Sequence, residues 1–596
     1  MALVALLGLV ACGEGGEGEG DSEDEFGALV GEADENGKTL FEASGWEEPI
    51  PGKEDSLQGR RGLSVNVDSS DLSVWEIKNQ WTDTDTEAAR AAGLAWGEDS
   101  GLNWDEKFQR WVGSMKKIDA ESYGSTFMLT TPFGREVPAP ALECAEVAMF
   151  LRVTFASWYN LPFFMEARDS EGNRLYFGHF GIRTAAARYG RMPYFRSRYE
   201  DYSEKADAIR AGEAEWPTDA KLAGLTIPGS QDDAQPMLGE DAHAGAYFDH
   251  IYLNKRVGYF MRLLLTYFGS MNLADSANTY NLAPEAVQPG DVLLERWQRR
   301  GIGHALVVMR SRDLGVTEID GEEVPQLEAE LASGSMPRRQ PKWESPAASK
   351  RVFTLSYTGG EGYEKLGGGL KRFRSAVNEG GRWTNVVLRG DRDAFISNTD
   401  YDAIAERPDR FEVILSELSP EEKLVALVEL VESKRQHLRR YPASCSARIG
   451  REQAFDDLYE TAADPAIGWS KDEVDRRFRK VEDYVFAELV YDKSKTCCWN
   501  STNSTMYDVI MELNETRIED PETGQCQEVL VFMNRDDEGD GYQLFADFTE
   551  ATGRGDAWVK WSEDEFCAQR DVAEDTLEVT EAAPLCSVYD ELESRM

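Results

Sequence analysis

Basic residues are scarce in this chain. Its 596 residues carry 64 Lys and Arg against 109 Asp and Glu, a formal net charge of −45. A DNA or RNA partner is therefore disfavoured, because polyanion binding rests on basic patches. Long apolar runs are missing as well. After the first dozen residues no stretch approaches the about 20 apolar residues that span a bilayer. Histidine is rare, five in all, and none falls in an HExxH pattern for a hydrolytic metal. The eight cysteines include no CxxC pair, which argues against a structural zinc site. No metal or other cofactor is expected, and no internal repeat is visible. With 41% hydrophobic residues the chain can still bury two or more ordinary cores.

The first twelve residues, Met1 to Cys12, are an apolar run ending in small residues and a cysteine. The run is too short to cross a membrane but suits the core of a signal peptide, although no Lys or Arg precedes it. Leu9-Val10-Ala11-Cys12 resembles the lipobox of bacterial lipoproteins. That resemblance implies cleavage before Cys12, a lipid on its thiol, and tethering in the cell envelope, with the outer membrane favoured. The membrane is then a partner through the lipid anchor. Residues 13–25 contain only Gly, Ser and acids and cannot bury apolar area, so 13–61 reads as a disordered acidic linker.

Six of the other cysteines follow residue 440: Cys445, Cys497, Cys498, Cys526, Cys567 and Cys586. An even number in an oxidising compartment predicts three disulfides, in one of 15 pairings. Cys144 is left over, as a reactive thiol or a small buried hydrophobe. It follows Pro138-Ala139-Pro140 and opens a helical stripe of Val147, Ala148, Leu151, Phe155 and Trp158. In a first helical turn the amides and the dipole favour a thiolate.

Downstream, Pro289-Gly290-Asp291-Val292 leads into one short strand. Gly303-His304-Ala305-Leu306-Val307-Val308 opens a second with His304 at its start. A histidine there can take a proton from a thiol. The order of these segments resembles the NlpC-type and CHAP-type papain-like peptidases and amidases of bacterial envelopes, over roughly residues 115 to 345. The resemblance implies an α+β, papain-like domain at 62–360 with a large insertion near 185–280. It also implies Cys144 as nucleophile, His304 as general base, and an envelope amide such as a peptidoglycan peptide as substrate. Glu330, on the strand expected at Leu327–Ala332, is the candidate orienter of the imidazole, with Ser333 and Ser335 behind it. An inactive papain-like scaffold that binds cell wall or an envelope protein is the alternative.

A second alternative pairs Cys144 with His179. His179 stands in a plausible strand, Leu175 to Ile182, and this order resembles transglutaminase-like enzymes. His250 reads as a core residue in a helical stretch running to Phe268, His243 as a loop residue, and His437 as the end of a helix. The region 361–596 reads as a mostly helical, disulfide-stapled module. Ser419-Pro420-Glu421-Glu422 starts one helix, striped by Leu424, Leu427, Val428 and Val431. Ser470 and Glu473 cap another, with a stripe running from Val474 through Phe478 and Val481 to Leu489. Asp536 to Asp547 partly follows a calcium loop, but an acidic turn is the expected reading. Oligomeric state is not legible.

Overall fold

In this computed structural model the described residues are 61–81, 101–121, 124–168, 174–184, 192–228, 232–297, 303–319, 321–416, 419–440, 445–480, 482–483, 508–509, 511–513 and 547–555. Cys12, the acidic linker, Cys497, Cys498, Cys526, Cys567, Cys586 and residues 536–546 lie outside them. So do the side chains of Cys445 and His437. The chain divides between Ser416 and Glu417 into two units.

One helix organises the first unit. It runs Cys144–Trp158 (α2), and all of its residues except Ser157 are buried. Apolar residues cover its whole circumference rather than one stripe, the pattern of a helix enclosed on all sides. Its two charged residues each have a buried partner. Arg152 donates to Asp105 at 2.7 Å, on the helix Trp104–Gly113 (α1). The Arg152 guanidinium also lies 4.5 Å from the Trp81 ring centre and 4.8 Å from that of Phe108, so it is neutralised and stacked at once. Glu146 is held by Arg338. Asn103 starts α1 through a reciprocal cap with Glu106.

A seven-stranded antiparallel sheet packs against α2. In chain order its strands are Thr279–Leu282 (β1), Val292–Arg296 (β2), Gly303–Ile319 (β3), Glu322–Ser333 (β4), Lys342–Trp343 (β5), Gly369–Phe373 (β6) and Phe395–Ile396 (β7), and their spatial order is β5-β4-β3-β2-β6-β1-β7. Both faces are covered. Val292, Leu294, Ala305, Val307 and Met309 join the core built on α2. Leu293, Leu306, Val308, Leu331 and Leu370 join a second core with Phe353 and Phe411. Side chains alternate between the two faces because strand periodicity is two.

The α+β class and the β2, β3 and β4 strands agree with the sequence reading. The domain boundary at 360/361 does not. Strands β6 and β7 complete the sheet, so the first unit continues to Ser416. The expected helix through His250 is two helices, Ala244–Ile251 (α3) and Lys255–Tyr267 (α4). They are broken where the Asn254 side chain accepts the Arg256 N–H and restarts the helix. The region near 185–280 holds these and several shorter helices.

In the second unit the described elements are helices joined by turns. Pro420–Arg440 (α5) begins with the expected Ser419–Glu422 box, and Leu424, Leu427 and Val431 face Phe455 and Leu458 of Cys445–Ala462 (α6). The helix after Ser470, Lys471–Phe478 (α7), is shorter than its stripe implied. Beyond its end the fully buried Asp483 accepts the Lys480 N–H and binds Arg435 and Arg451. Burial works against the Asp483 charge, but the two guanidiniums together hold its carboxyl well below the ordinary range.

The Pro-Gly-Asp segment before β2 has a structural role. Asp291, buried, accepts two 2.7 Å hydrogen bonds from Arg372 on β6 and a third from the Gln288 N–H. Removing one partner strands the other charge, which costs about 3–5 kcal/mol. Arg372→Met is expected to lower unfolding free energy by about that amount, measured by urea denaturation. A loss below about 1 kcal/mol would show the pair to be dispensable.

Candidate functional site

Cys144 is the first residue of α2, as its position after two prolines implied. Its surroundings differ from those of a nucleophile. The residue is fully buried within the main apolar core, and its sulfur is disulfide-bonded. A disulfide sulfur has no thiol proton to give and no thiolate with which to attack. The bond also revises the cysteine arithmetic. Cys144 is not left over as a free thiol.

His304 lies at the start of β3, as expected. It is partly exposed, and its Nε2 is 3.0 Å from the Ser333 hydroxyl. The protein around the ring, then the charge of Arg339, push the imidazole down to about 4, so it is neutral at neutral pH. Its orientation decides against a dyad. Ala305, Val307 and Met309 point to the core that contains α2, whereas Leu306 and Val308 point to the opposite core. By alternation His304 shares the face of Leu306 and Val308, away from the helix that carries Cys144.

Glu330 is not the orienter. Val308 stands opposite Leu331 across the β3–β4 ladder, so Leu331 and Ser333 share the His304 face and Glu330 projects from the other. Glu330 accepts from Trp343 Nε1 at 2.7 Å and from Lys117 at 3.3 Å, and salt-bridges Arg310. Ser335 accepts from Arg339 at 2.9 Å.

His179 is excluded as the base by its own hydrogen bonds. It is fully buried in the turn between the strands Arg174–Gly178 and Gly181–Arg183. Its Nε2 is 2.9 Å from Asp68, and its Nδ1 meets the backbone of Phe163. Trp383 donates to the same Asp68 carboxylate. Both ring nitrogens are therefore occupied in a structural cluster. Asp68 lies 111 residues upstream, and nothing in the sequence links the two.

What gathers at the start of α2 is a set of charges that the sequence reading did not pick out. Arg338 grips Glu146 through two bonds of 2.9 and 2.7 Å and approaches Glu143 at 3.4 Å. The Glu146 carboxylate also accepts the Glu143 N–H. Gly334 makes this close approach possible, since a Cβ there would sit 2.1 Å from the Leu142 carbonyl oxygen. Burial first, then the Glu146 charge, push the Glu143 carboxyl up to about 7, against the pull of Arg338.

No family model, curated protein or solved structure matches the chain.

The raised Glu143 group sets a pH dependence. A protonated carboxyl favours the fold, so its contribution is complete below the ordinary value of 4.5 and is lost as pH rises to about 7. Glu143→Gln, which stays neutral, should flatten the fall in Tm across that window. Thermal melts of both proteins from acid to neutral pH check this, and equal slopes would remove Glu143 as the cause.

Proposed function

We propose that this chain is a cell-envelope lipoprotein whose first unit is a non-catalytic scaffold with the segment order of papain-like enzymes, serving to bind an envelope protein. The lipid on Cys12 would tether it to the membrane, with the outer membrane favoured, and the acidic linker would space the folded part from that surface. The observation that carries the reading is the separation of the would-be dyad. The Cys144 sulfur is buried in a disulfide while His304 faces the other side of the sheet. Thiol amidase chemistry needs both groups on one substrate carbonyl.

A binding face has separate support. Beyond the sheet, β3 and β4 continue as a two-stranded arm. Along β3, β2 pairs only with Gly303–Val307, and along β4, β5 pairs only with Ala332 and Ser333. The arm exposes Leu314, Val316 and Ile319, at 42%, 62% and 37% of their surface. Exposed apolar side chains on such an arm suit a contact with a protein.

Iodoacetamide mapping of the folded, unreduced protein tests the core of the proposal. Cys144 is expected to remain unlabelled, and purified peptidoglycan is expected to remain uncut. Labelling of Cys144 that disappears in His304→Ala would instead restore the hydrolase reading. A photo-crosslinking residue at Val316, introduced in cells, should yield a discrete protein adduct that is lost in Leu314→Asp. Adducts to glycan strands would replace the protein partner by cell wall.

A further inference from the structure

The short hairpin before α3 carries a group of side chains with no role in the site above. Residues Asp232, Asp233 and His243 offer ligand atoms that all lie within 4.8 Å of one another. The backbone sets this spacing. Ala234 and His243 form an antiparallel bridge, and the Gln235 N–H donates to the Ala242 carbonyl at 2.7 Å. The His243 carbonyl also accepts from Ala246 and Tyr247 at the start of α3, which fixes the residue at a helix entry.

Asp233 supplies an independent reason for a cation. Its carboxylate is buried, at 2% exposure. One oxygen accepts the Ile227 N–H at 2.6 Å, and the other meets His243 Nδ1 at 2.8 Å. No lysine or arginine among the described residues salt-bridges it. The Arg262 and Arg338 guanidiniums act on it from beyond salt-bridge distance, and a bound cation would add direct neutralisation of the buried carboxylate. Asp232 is exposed and His243 half-exposed, so water can complete the coordination.

We propose that Asp232, Asp233 and His243 form a site for one divalent transition-metal ion, with zinc the best fit. Two carboxylates and an imidazole are a mixed oxygen and nitrogen set, which suits zinc rather than the all-oxygen preference of calcium or magnesium. Ligand atoms about 2.0–2.2 Å from an ion stand about 3 Å or more apart, close to the 2.8 Å between Asp233 and His243. On binding, the Nδ1 proton moves to Nε2 or leaves to solvent, and the nitrogen lone pair goes to the metal. Sequence spacing conceals the site, because the hairpin and not a helix brings the residues together.

The ion would also brace the entry to α2. The side chain of Gln235 accepts from the Ala141 N–H at 2.8 Å and donates to the Ala141 carbonyl at 2.9 Å, three residues before Cys144. Its amide also donates to the Asp233 carbonyl. A metal that fixes this hairpin therefore fixes the segment leading into the central helix.

The test is equilibrium dialysis of the chelator-stripped full chain against zinc chloride, under non-reducing conditions, with metal counted per chain. The wild type should bind one equivalent more than His243→Ala. Asp232→Asn, an exposed change that leaves the fold intact, should weaken that equivalent at least about tenfold. Zinc should raise the Tm of wild type and leave that of His243→Ala unmoved, whereas excess magnesium should displace nothing. Equal stoichiometry and equal affinity in all three proteins would overturn the proposal, whatever becomes of the binding-scaffold reading.

Discussion

The two-pronged contact between Arg338 and Glu146 is the constraint on which the first unit turns. Glu146 lies in the first turn of a helix with no exposed face, and Arg338 lies on the segment that follows β4. Glu146 would be an uncompensated buried charge without Arg338, and Arg338 would be left with only its longer contact to Glu143. Their pairing therefore fixes how the sheet meets the helix start. The bare backbone of Gly334 passes over the Leu142 carbonyl, and the Ser335 N–H bonds to it. Arg152 and Asp105 repeat the arrangement further along α2 and tie it to α1. A helix can be enclosed by protein with two charges on it only because both are answered at hydrogen-bond distance.

The same rule governs the rest of the molecule. Asp291 and Arg372 lock β2 to β6, and Asp483 draws Arg435 and Arg451 together in the second unit. Acids outnumber bases heavily in the whole sequence, yet these buried acids meet guanidiniums. Asp233 departs from the pattern in that its direct side-chain partner is an imidazole, with the Arg262 and Arg338 charges acting from farther off. That contrast gives the hairpin its interest as a metal site.

Function follows from the same packing. An enzyme of the thiol type keeps its nucleophile at the floor of a cleft, within reach of a base. Here the helix start is closed by its charge pair and by a disulfide, and the imidazole is bonded to Ser333 on the far side of the sheet. The surface also offers a long hairpin arm with exposed apolar side chains, on which the proposed contact role rests.

The sequence by itself determined the elements. Two prolines and an apolar stripe marked α2 to its first residue, Gly and Pro marked the entry to β2, and Ser419 with Glu422 marked α5, because these signals act over a few residues. It also carried the order of segments behind the papain-like reading. It did not determine which way His304 points. Residues 305–309 of β3 are apolar at every position, so their alternation holds no polar-versus-apolar contrast from which to read a face. Only the tertiary structure decided that, by packing Ala305 and Val307 on α2 and sending Leu306 and Val308 to the other core. The partners of Glu330, the His179–Asp68 bond and the bond at Cys144 were hidden for a related reason. Each joins residues whose proximity exists only after the chain has folded, and local periodicity carries no record of such contacts.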